Sequence, residues 1–274
     1  MQQNPEISVI TVGMNHKAFM EKLLQSLFIA HRPDVPFEMI YVDNCSVDGS
    51  VHMIAENFTE VKIIQNSKPL GFGANNNLGV QHARGKYIAI INPDIELQDQ
   101  SLDSLLNFHE KLTYDAILVP KLINPDGTLQ FSARGFVTGN SLVGRIITRG
   151  QDDSPRKSVQ RYLFTDINSD QIQFVDWAIG AAFFMKKSLF EKLGGFDEDY
   201  FLYLEDTDLC LRSWKSSNPV IYMPNSVMVH NHLRSSSKKV KLAVIHLKSY
   251  LKYFRKHGLK VKSLVSKSRR ELPD

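Results

Sequence analysis

Tyr87-Ile88-Ala89-Ile90-Ile91-Asn92-Pro93-Asp94 is the stretch that decides the fold. Its five leading residues form an apolar run of strand length. A carboxylate, Asp94, stands just past the strand's carboxyl end, where open α/β sheets place ligand chemistry. Upstream, residues 7–12, 37–42 and 61–64 read as three further strands, the second ending at Asp43. Helical spacing separates them over residues 19–29, where Leu23, Leu24, Leu27 and Phe28 share a face, and again over 51–58 and 74–83. Strand and helix alternating at this pace predict βαβ units and a mostly parallel central sheet.

Downstream, residues 102–112 read as an amphipathic helix, 117–119 as a strand and Asn124-Pro125-Asp126-Gly127 as a turn. Glycines at 135, 139, 144 and 150 and a polar run at 151–158 mark residues 130–172 as a loop-rich insertion at the mouth of a site. Regular order is expected from Phe174 to His230. Residues 239–256 then carry Val240, Val244, Leu247, Leu251 and Phe254 in one helical stripe, with Gly258 placed to cap it. The expected division is a catalytic domain over residues 1–235 and a basic amphipathic helical tail over 236–274.

Composition narrows the class. The chain has 274 residues and is 43% hydrophobic, enough for one large core. Cys45 and Cys210 make no disulfide framework and suit a reducing compartment. The polar start and the absence of a long apolar run point to a cytoplasmic protein without a span. The net charge of +4 is unevenly spread. From Arg234 onward thirteen Lys or Arg face only Glu271 and Asp274, a net of +11, which leaves −7 for the rest. A basic tail on an acidic body suits a polyanionic partner. The stripe is expected to pack on the domain, leaving the basic residues for an anionic membrane surface; nucleic acid is disfavoured, since no binding motif is present.

Several motifs carry possible chemistry. Asp43-Asn44-Cys45-Ser46-Val47-Asp48-Gly49-Ser50 follows a strand, and its short polar side chains suit a tight turn that leaves an acceptor free, with Ser50 as helix N-cap. Leu70-Gly71-Phe72-Gly73-Ala74-Asn75-Asn76-Asn77 is a Gly-rich entry to a helix, where a ligand can approach the backbone. It has neither P-loop nor GxGxxG spacing. Residues 177–185 read as one apolar strand with small residues, Gly180 and Ala181, at its centre. Tyr203-Leu204-Glu205-Asp206-Thr207-Asp208 opens a helix with three carboxylates. At about 100° per residue, Asp206 and Asp208 cannot share a face, so one can meet a cleft while another binds elsewhere. Val227-Met228-Val229-His230 ends a strand in an imidazole that suits Mn²⁺-class ions.

In this order, the motifs DNCSVDGS, PLGFGANNN, NPD, GAAFF, GGFDE and YLEDTDLCLR resemble a family 2 glycosyltransferase over residues 7–235. The resemblance implies the GT-A nucleotide-binding fold. Asn92-Pro93-Asp94 in place of a two-aspartate motif, with the Asn-rich turn, is similar to the rhamnosyltransferase branch. It implies dTDP-L-rhamnose as donor and a saccharide or undecaprenyl-diphosphate-linked acceptor in bacterial cell-surface polysaccharide synthesis. It also implies roles. Thr11, Val12 and Asn15 would line the nucleoside pocket, Asp43 would bind the base with Ser46 beside it, and Gly71, Phe72, Asn75 and Asn92 would lie near the nucleotide. Asp94 and His230 would hold Mg²⁺ or Mn²⁺ on the diphosphate. Asp206 would be the general base of an inverting transfer, Glu205 would orient the acceptor, and Trp177 and Gly180 would wall the acceptor side.

The alternative within the same family is a transferase that uses a UDP- or GDP-sugar as donor. A nucleotidyltransferase would carry a Gly- and Lys/Arg-rich loop after its first strand, where this chain has Gly13-Met14-Asn15-His16-Lys17. The presence of Asp94, Glu205, Asp206 and His230 argues against a non-catalytic sugar-nucleotide- or polysaccharide-binding protein.

Overall fold

The structure is a computed structural model that describes residues 4–147, 157–163, 168–231, 239–265 and 272. Its first half is built of β1 (Ile7–Gly13), α1 (Lys17–Gln25), β2 (Phe37–Asp43), α2 (Ser50–Asn57), β3 (Val61–Gln65), α3 (Phe72–Gln81) and β4 (Tyr87–Ile91). A single π-helical turn, Ser26–Ala30, extends α1. Then come β5 (Ile95–Leu97), α4 (Ser101–Lys111), β6 (Ile117–Ile123), β7 (Ala133–Arg134), α5 (Gly139–Ile147) and α6 (Lys157–Leu163). The last part contains β8 (Gln173–Val175), β9 (Trp177–Ala178), β10 (Ala182–Lys186), α7 (Lys187–Lys192), α8 (Glu205–Lys215), β11 (Val220–His230) and α9 (Lys239–His257).

The central sheet runs β3-β2-β1-β4-β10-β6-β11-β5, with β8 also on β11. The pairs β3–β2, β2–β1, β1–β4 and β6–β11 are parallel, while β10 runs antiparallel between β4 and β6. Six strands therefore point one way, and the expected α/β fold with a mostly parallel sheet is what forms. Side chains alternate across β1: Ile7 and Val9 pack on one face with Leu23, Leu24, Met53 and Leu102, and Ile10 packs on the other with Val80, Leu189, Leu209 and Tyr253. Burying both faces is why these strands read as near-continuous apolar runs.

The parallel order puts the carboxyl ends of β1, β2, β3, β4 and β11 on one edge. Gly13 is level with Asp43, and Asp43 with Gln65. Because β10 runs the other way, its first residue, Ala182, pairs with Ile91 at that same edge. The loop before β10 therefore joins the loops that follow the parallel strands.

Four sequence expectations need correction. Residues 177–185 are two strands: Ala181 N–H donates to Ile179 O at 2.7 Å, which folds the chain between β9 and β10. The small residues at 180 and 181 make that bend sterically cheap, and β9 leaves the main sheet to pair with β7. The 130–172 insertion is partly regular, holding β7, α5 and α6. Ser50 does not cap α2 from outside; Gly49 takes that place at φ 80°, and the Ser50 hydroxyl donates to Asp48 Oδ1 at 2.6 Å. The stripe of α9 packs on the domain only at Phe254, while Val244, Leu247 and Leu251 are exposed. The side chain of Val240 and the basic residues at 234, 238, 267, 269 and 270 lie outside the described residues. The helix ends as expected: Gly258 sits at φ 81° and its N–H donates to Phe254 O.

Candidate active site

The loops at the carboxyl edge are tied to one another by short polar side chains. Asn15, in the left-handed region at φ 59°, receives Val47 N–H on its side-chain oxygen at 2.8 Å, and its own N–H donates to Ser46 Oγ at 2.9 Å. Asp43 is buried at the end of β2 and accepts from Tyr41 OH at 3.2 Å and from Ser46 N–H. Beside them, Thr11 is fully buried with no partner for its hydroxyl among the described residues, and Val12 is half-buried. The four residues implied for the nucleoside and base at 11, 12, 15 and 43 are thus neighbours at the ends of two adjacent strands.

The Gly-rich turn serves a purpose the sequence did not disclose. A Cβ on Gly71 would lie 2.8 Å from the carbonyl oxygen of Phe201, and Phe72 N–H donates to that same oxygen at 2.9 Å. The backbone that Gly71 admits is therefore that of residue 201, just ahead of the acidic helix. Asn75 is fully buried, and its amide donates to Leu70 O and Gly71 O while its oxygen receives Asn66. Its implied place near a nucleotide becomes an indirect one, because every polar group on it holds the turn. Phe72 remains half-buried at the turn's lip.

Asp94 and His230 meet as the resemblance implied. His230 is buried at the end of β11, with Nε2 3.4 Å from Asp94 Oδ2. Gln130 Oε1 lies 2.6 Å from His230 Nδ1. An amide oxygen can only accept, so Nδ1 carries the proton, and Nε2 is the nitrogen that faces Asp94, with a lone pair for a metal when the ring is neutral. Asp94 Oδ1 is buried without a partner among the described residues. An orphaned carboxylate oxygen beside an imidazole lone pair fits two ligands of a Mg²⁺ or Mn²⁺ ion that completes its shell with phosphate and water. No group of three such ligands occurs among the described residues. Asn92 is half-buried next door, its N–H on Ala181 O at 2.8 Å. His16, which sequence reasoning passed over, also faces this site; burial lowers its pKa, against the raising charges of Asp94 and Asp48.

The acidic helix α8 begins after two residues in the left-handed region, Tyr203 at φ 72° and Leu204 at φ 68°. Each such non-glycine conformation costs on the order of 1–3 kcal/mol and persists only where its surroundings hold it. Here Ser249 Oγ donates to Leu202 O at 2.9 Å, and the Tyr203 ring lies 4.4 Å from that of His246. Both tethers come from α9. The pinned turn delivers Glu205 and Asp206. Gly180 N–H donates to Asp206 Oδ2 at 2.9 Å, while Thr207 N–H donates to Oδ1 at 2.7 Å. Burial raises the pKa of Asp206, with these hydrogen bonds opposing the rise. Glu205 is buried, its Oε2 has no partner among the described residues, and burial followed by the Asp206 charge pushes its pKa well up.

Asp208 points elsewhere. It is fully buried and receives Arg212 Nε at 2.7 Å, Lys256 Nζ at 2.8 Å and His257 Nε2 at 2.7 Å. Burial disfavours its charge, but His257, Arg212 and Lys256 outweigh that and hold its pKa at about 2. The two aspartates divide as helical geometry predicts: Asp206 meets the bend before β10, and Asp208 anchors α9. Trp177 is buried, its indole N–H on Gly135 O at 2.7 Å and its ring against Tyr162, so its contacts are with the 130–172 segment. Of the implied acceptor wall, only Gly180 touches Asp206. Gln130 lies 100 positions from His230 in the chain, and no spacing signal could have paired them.

A family model described as "Glycosyl transferase family 2" matches residues 8–194. The N-acetylglucosaminyl-diphospho-decaprenol L-rhamnosyltransferase of Mycobacterium tuberculosis is 25% identical over 263 residues, covering 89% of this chain and 83% of its own. Rhamnosyltransferase WbbL of Escherichia coli is 27% identical over 257 residues, covering 90% and 92%. Among solved structures, a mannosyltransferase from Pyrobaculum calidifontis with GDP-Man and Mn²⁺ aligns at a TM-score of 0.59 and 18% identity, covering 96% of this chain and 66% of that one. Residues 1–349 of S. aureus TarS with UDP-GlcNAc align at 0.57 and 17%, covering 85% and 60%. At these identities the solved structures speak for the fold alone.

Proposed function

The chain belongs to glycosyl transferase family 2, and from that premise we propose that it is an inverting rhamnosyltransferase. Its donor would be dTDP-L-rhamnose and its acceptor a saccharide on a lipid diphosphate, met at the cytoplasmic face of a membrane. The observation that carries the sugar assignment is that two relatives named as rhamnosyltransferases match along about nine-tenths of the chain, at 89% and 90% coverage.

The reaction is a single in-line displacement. The acceptor hydroxyl oxygen forms a bond to the anomeric carbon as the bond from that carbon to the diphosphate oxygen breaks. The hydroxyl proton passes to Asp206 as general base, and the nucleoside diphosphate departs with the bonding pair. Gly180 N–H and Thr207 fix the Asp206 carboxylate before the acceptor arrives. Glu205, with one oxygen unpartnered, would accept a hydrogen bond from the acceptor or donate one in its protonated form. Thr11, Val12, Asn15, Asp43 and Ser46 would receive the nucleoside, and Gly71, Phe72 and Asn92 would flank the diphosphate. Asp94 and His230 would hold a divalent cation, which when bound supplies Lewis-acid stabilisation of the leaving diphosphate. No paired flanking carboxylates of the hydrolase kind are needed, because the nucleoside diphosphate leaves without a general acid and no carboxylate acts as nucleophile.

The test is a thermal-shift titration of the full chain with dTDP, UDP and GDP, each with Mn²⁺ or Mg²⁺, followed by transfer assays. A ligand that binds only the native state raises its melting temperature. The expected order is dTDP first, with dTDP-L-rhamnose consumed. Stronger stabilisation by UDP or GDP would move the donor assignment, and no shift with any nucleotide would sink the transferase reading.

A further inference from the structure

We propose that the outer face of α9 is a docking surface for an anionic lipid bilayer. Three members of the apolar stripe of this helix do not face the core, while Phe254 at its end packs against it. Val244, Leu247 and Leu251 are 49%, 57% and 63% exposed. The buried side is instead built of Ser249 and Tyr253, with His246, Tyr250 and His257 partly covered beside them. At 100° per residue, Lys248 follows Val244 by four positions and Arg255 follows Leu251 by four, so both cations border the exposed stripe. Neither is drawn into an ion pair with a carboxylate among the described residues.

The charges on the other side of the helix are used differently. Lys252 pairs with Asp197 and Asp199, and Lys256 with Asp197 and Asp208. Two lysines that the sequence suggested for lipid therefore fasten α9 to the body. Past the Gly258 cap, Leu259 is 62% exposed and Lys260 and Lys262 are exposed as well, which continues the mixture of apolar and basic groups.

An exposed apolar row edged by cations has few uses on an isolated chain. A bilayer surface carrying anionic headgroups satisfies both parts: the leucines enter the acyl boundary while Lys248 and Arg255 stay at headgroup level. The charge asymmetry favours the same orientation. Residues 234–274 carry a net of +11, whereas the remainder carries −7 and is repelled. No helix among the described residues is long and apolar enough to cross a membrane. The inner face of α9 holds Leu202 and Tyr203, immediately before Glu205 and Asp206. A bilayer bound on the outer face would thus set the height of the base over the surface. That last step rests on the lipid-linked acceptor proposed above; docking itself does not.

The experiment is co-sedimentation of the full chain with vesicles of phosphatidylcholine alone or enriched in phosphatidylglycerol, at low and high salt. Binding is expected only to the phosphatidylglycerol vesicles and is expected to be released by salt. Lys248→Glu with Arg255→Glu should weaken the partition coefficient by about thirtyfold or more, at about fivefold for each basic residue near a charged surface. Leu247→Asp with Leu251→Asp should abolish binding without moving Tm, because both side chains are exposed. Turnover of a water-soluble acceptor should survive in both pairs, which separates failure of docking from failure of the catalytic assignment. Wild-type chain left in the supernatant with phosphatidylglycerol vesicles, or either variant pair bound as tightly as wild type, would overturn the proposal. So would a wild-type dimer that leucine replacement dissociates while vesicle binding is absent, since a second copy would then cover the stripe.

Discussion

Alanine at position 180 tests the position of the base without touching its chemistry. Gly180 is not among the residues with left-handed φ, so alanine fits the backbone. The added Cβ would lie 3.2 Å from Asp206 Cβ and 3.5 Å from Oδ2. Carbon atoms rest at about 3.5–4.0 Å, a shortfall of roughly 0.3–0.8 Å; with the backbone at 180 taking part of it, the aspartate side chain retreats by roughly 0.3–0.5 Å. A misplacement of about 1 Å can cost on the order of 100-fold, and on a logarithmic scale this retreat corresponds to roughly a four- to tenfold lower kcat. Stability should change by less than about 1 kcal/mol, because the crowding is offset by the lower entropy of an unfolded chain with one glycine fewer. Donor affinity should hold, since Gly180 has no assigned contact with the nucleotide. The assay is steady-state release of nucleoside diphosphate, alongside donor Kd by calorimetry and Tm. A variant with wild-type kcat would refute the assignment of Asp206 as a precisely held base, and a loss confined to donor Kd would place position 180 on the donor side instead.

Asp206→Asn should lower kcat by roughly 100-fold or more with donor Kd unchanged, and Glu205→Gln should act mainly on acceptor KM; the reverse pattern would exchange their roles. Because the pKa of Asp206 is raised, kcat should fall on acidification at a higher pH than the ordinary 3.8 of an aspartate would give; a rate flat down to that value would contradict the buried base. Gln130→Leu should weaken Mn²⁺ binding by about 10–100-fold, and Asp94→Ala or His230→Ala by more, as read by calorimetry in the presence of nucleotide; full activity in excess chelator would remove the metal from the scheme. Asp208→Asn should destabilise the chain at neutral pH by roughly 2–3 kcal/mol, from a pKa held near 2 against 3.8. A depressed carboxylate pKa contributes above its unfolded value and is lost as pH falls through its folded one, so urea unfolding should show wild type and variant converging between those two values. A gap that persists below them would mean the loss is one of packing.

Much of the sheet was legible because each element carried its own signal. Residues 87–91 read as a strand and are one, and the apolar runs at 7–12, 37–42 and 61–64 gave strands within a residue or two of their ends. The edge followed from that alternation, and with it the placement of Asp43 and Asp94 on one side of the sheet. What was not legible is long-range and side-chain specific. Nothing local announces that Gln130 fixes the tautomer of His230, or that Gly71 is small because the backbone of Phe201 passes over it. The bend at 179–181 was hidden because an apolar run has the same composition whether it continues straight or folds back, and only the Asp206 carboxylate across the cleft explains why Gly180 turns its N–H away from the ladder.

The outward stripe of α9 marks the limit of periodicity as evidence. A row of valine and leucine at helical spacing says that one side of a helix wants to leave water, and it does not say what will cover that side. The choice was made by the opposite face. Asp208 is fully buried and needs cations, which Arg212, Lys256 and His257 provide. Breaking such a buried pair typically costs about 3–5 kcal/mol. Exposing three aliphatic side chains at 49%, 57% and 63% forgoes roughly 2–5 kcal/mol in all, an amount comparable to the anchor alone. The inner face also supplies the tethers for the strained turn at Tyr203 and Leu204, so turning α9 over would release the turn that leads into Glu205 and Asp206 along with Asp208. The polar anchor, with these tethers, therefore sets the orientation of the helix, and Val244, Leu247 and Leu251 remain outside the core that the described residues form.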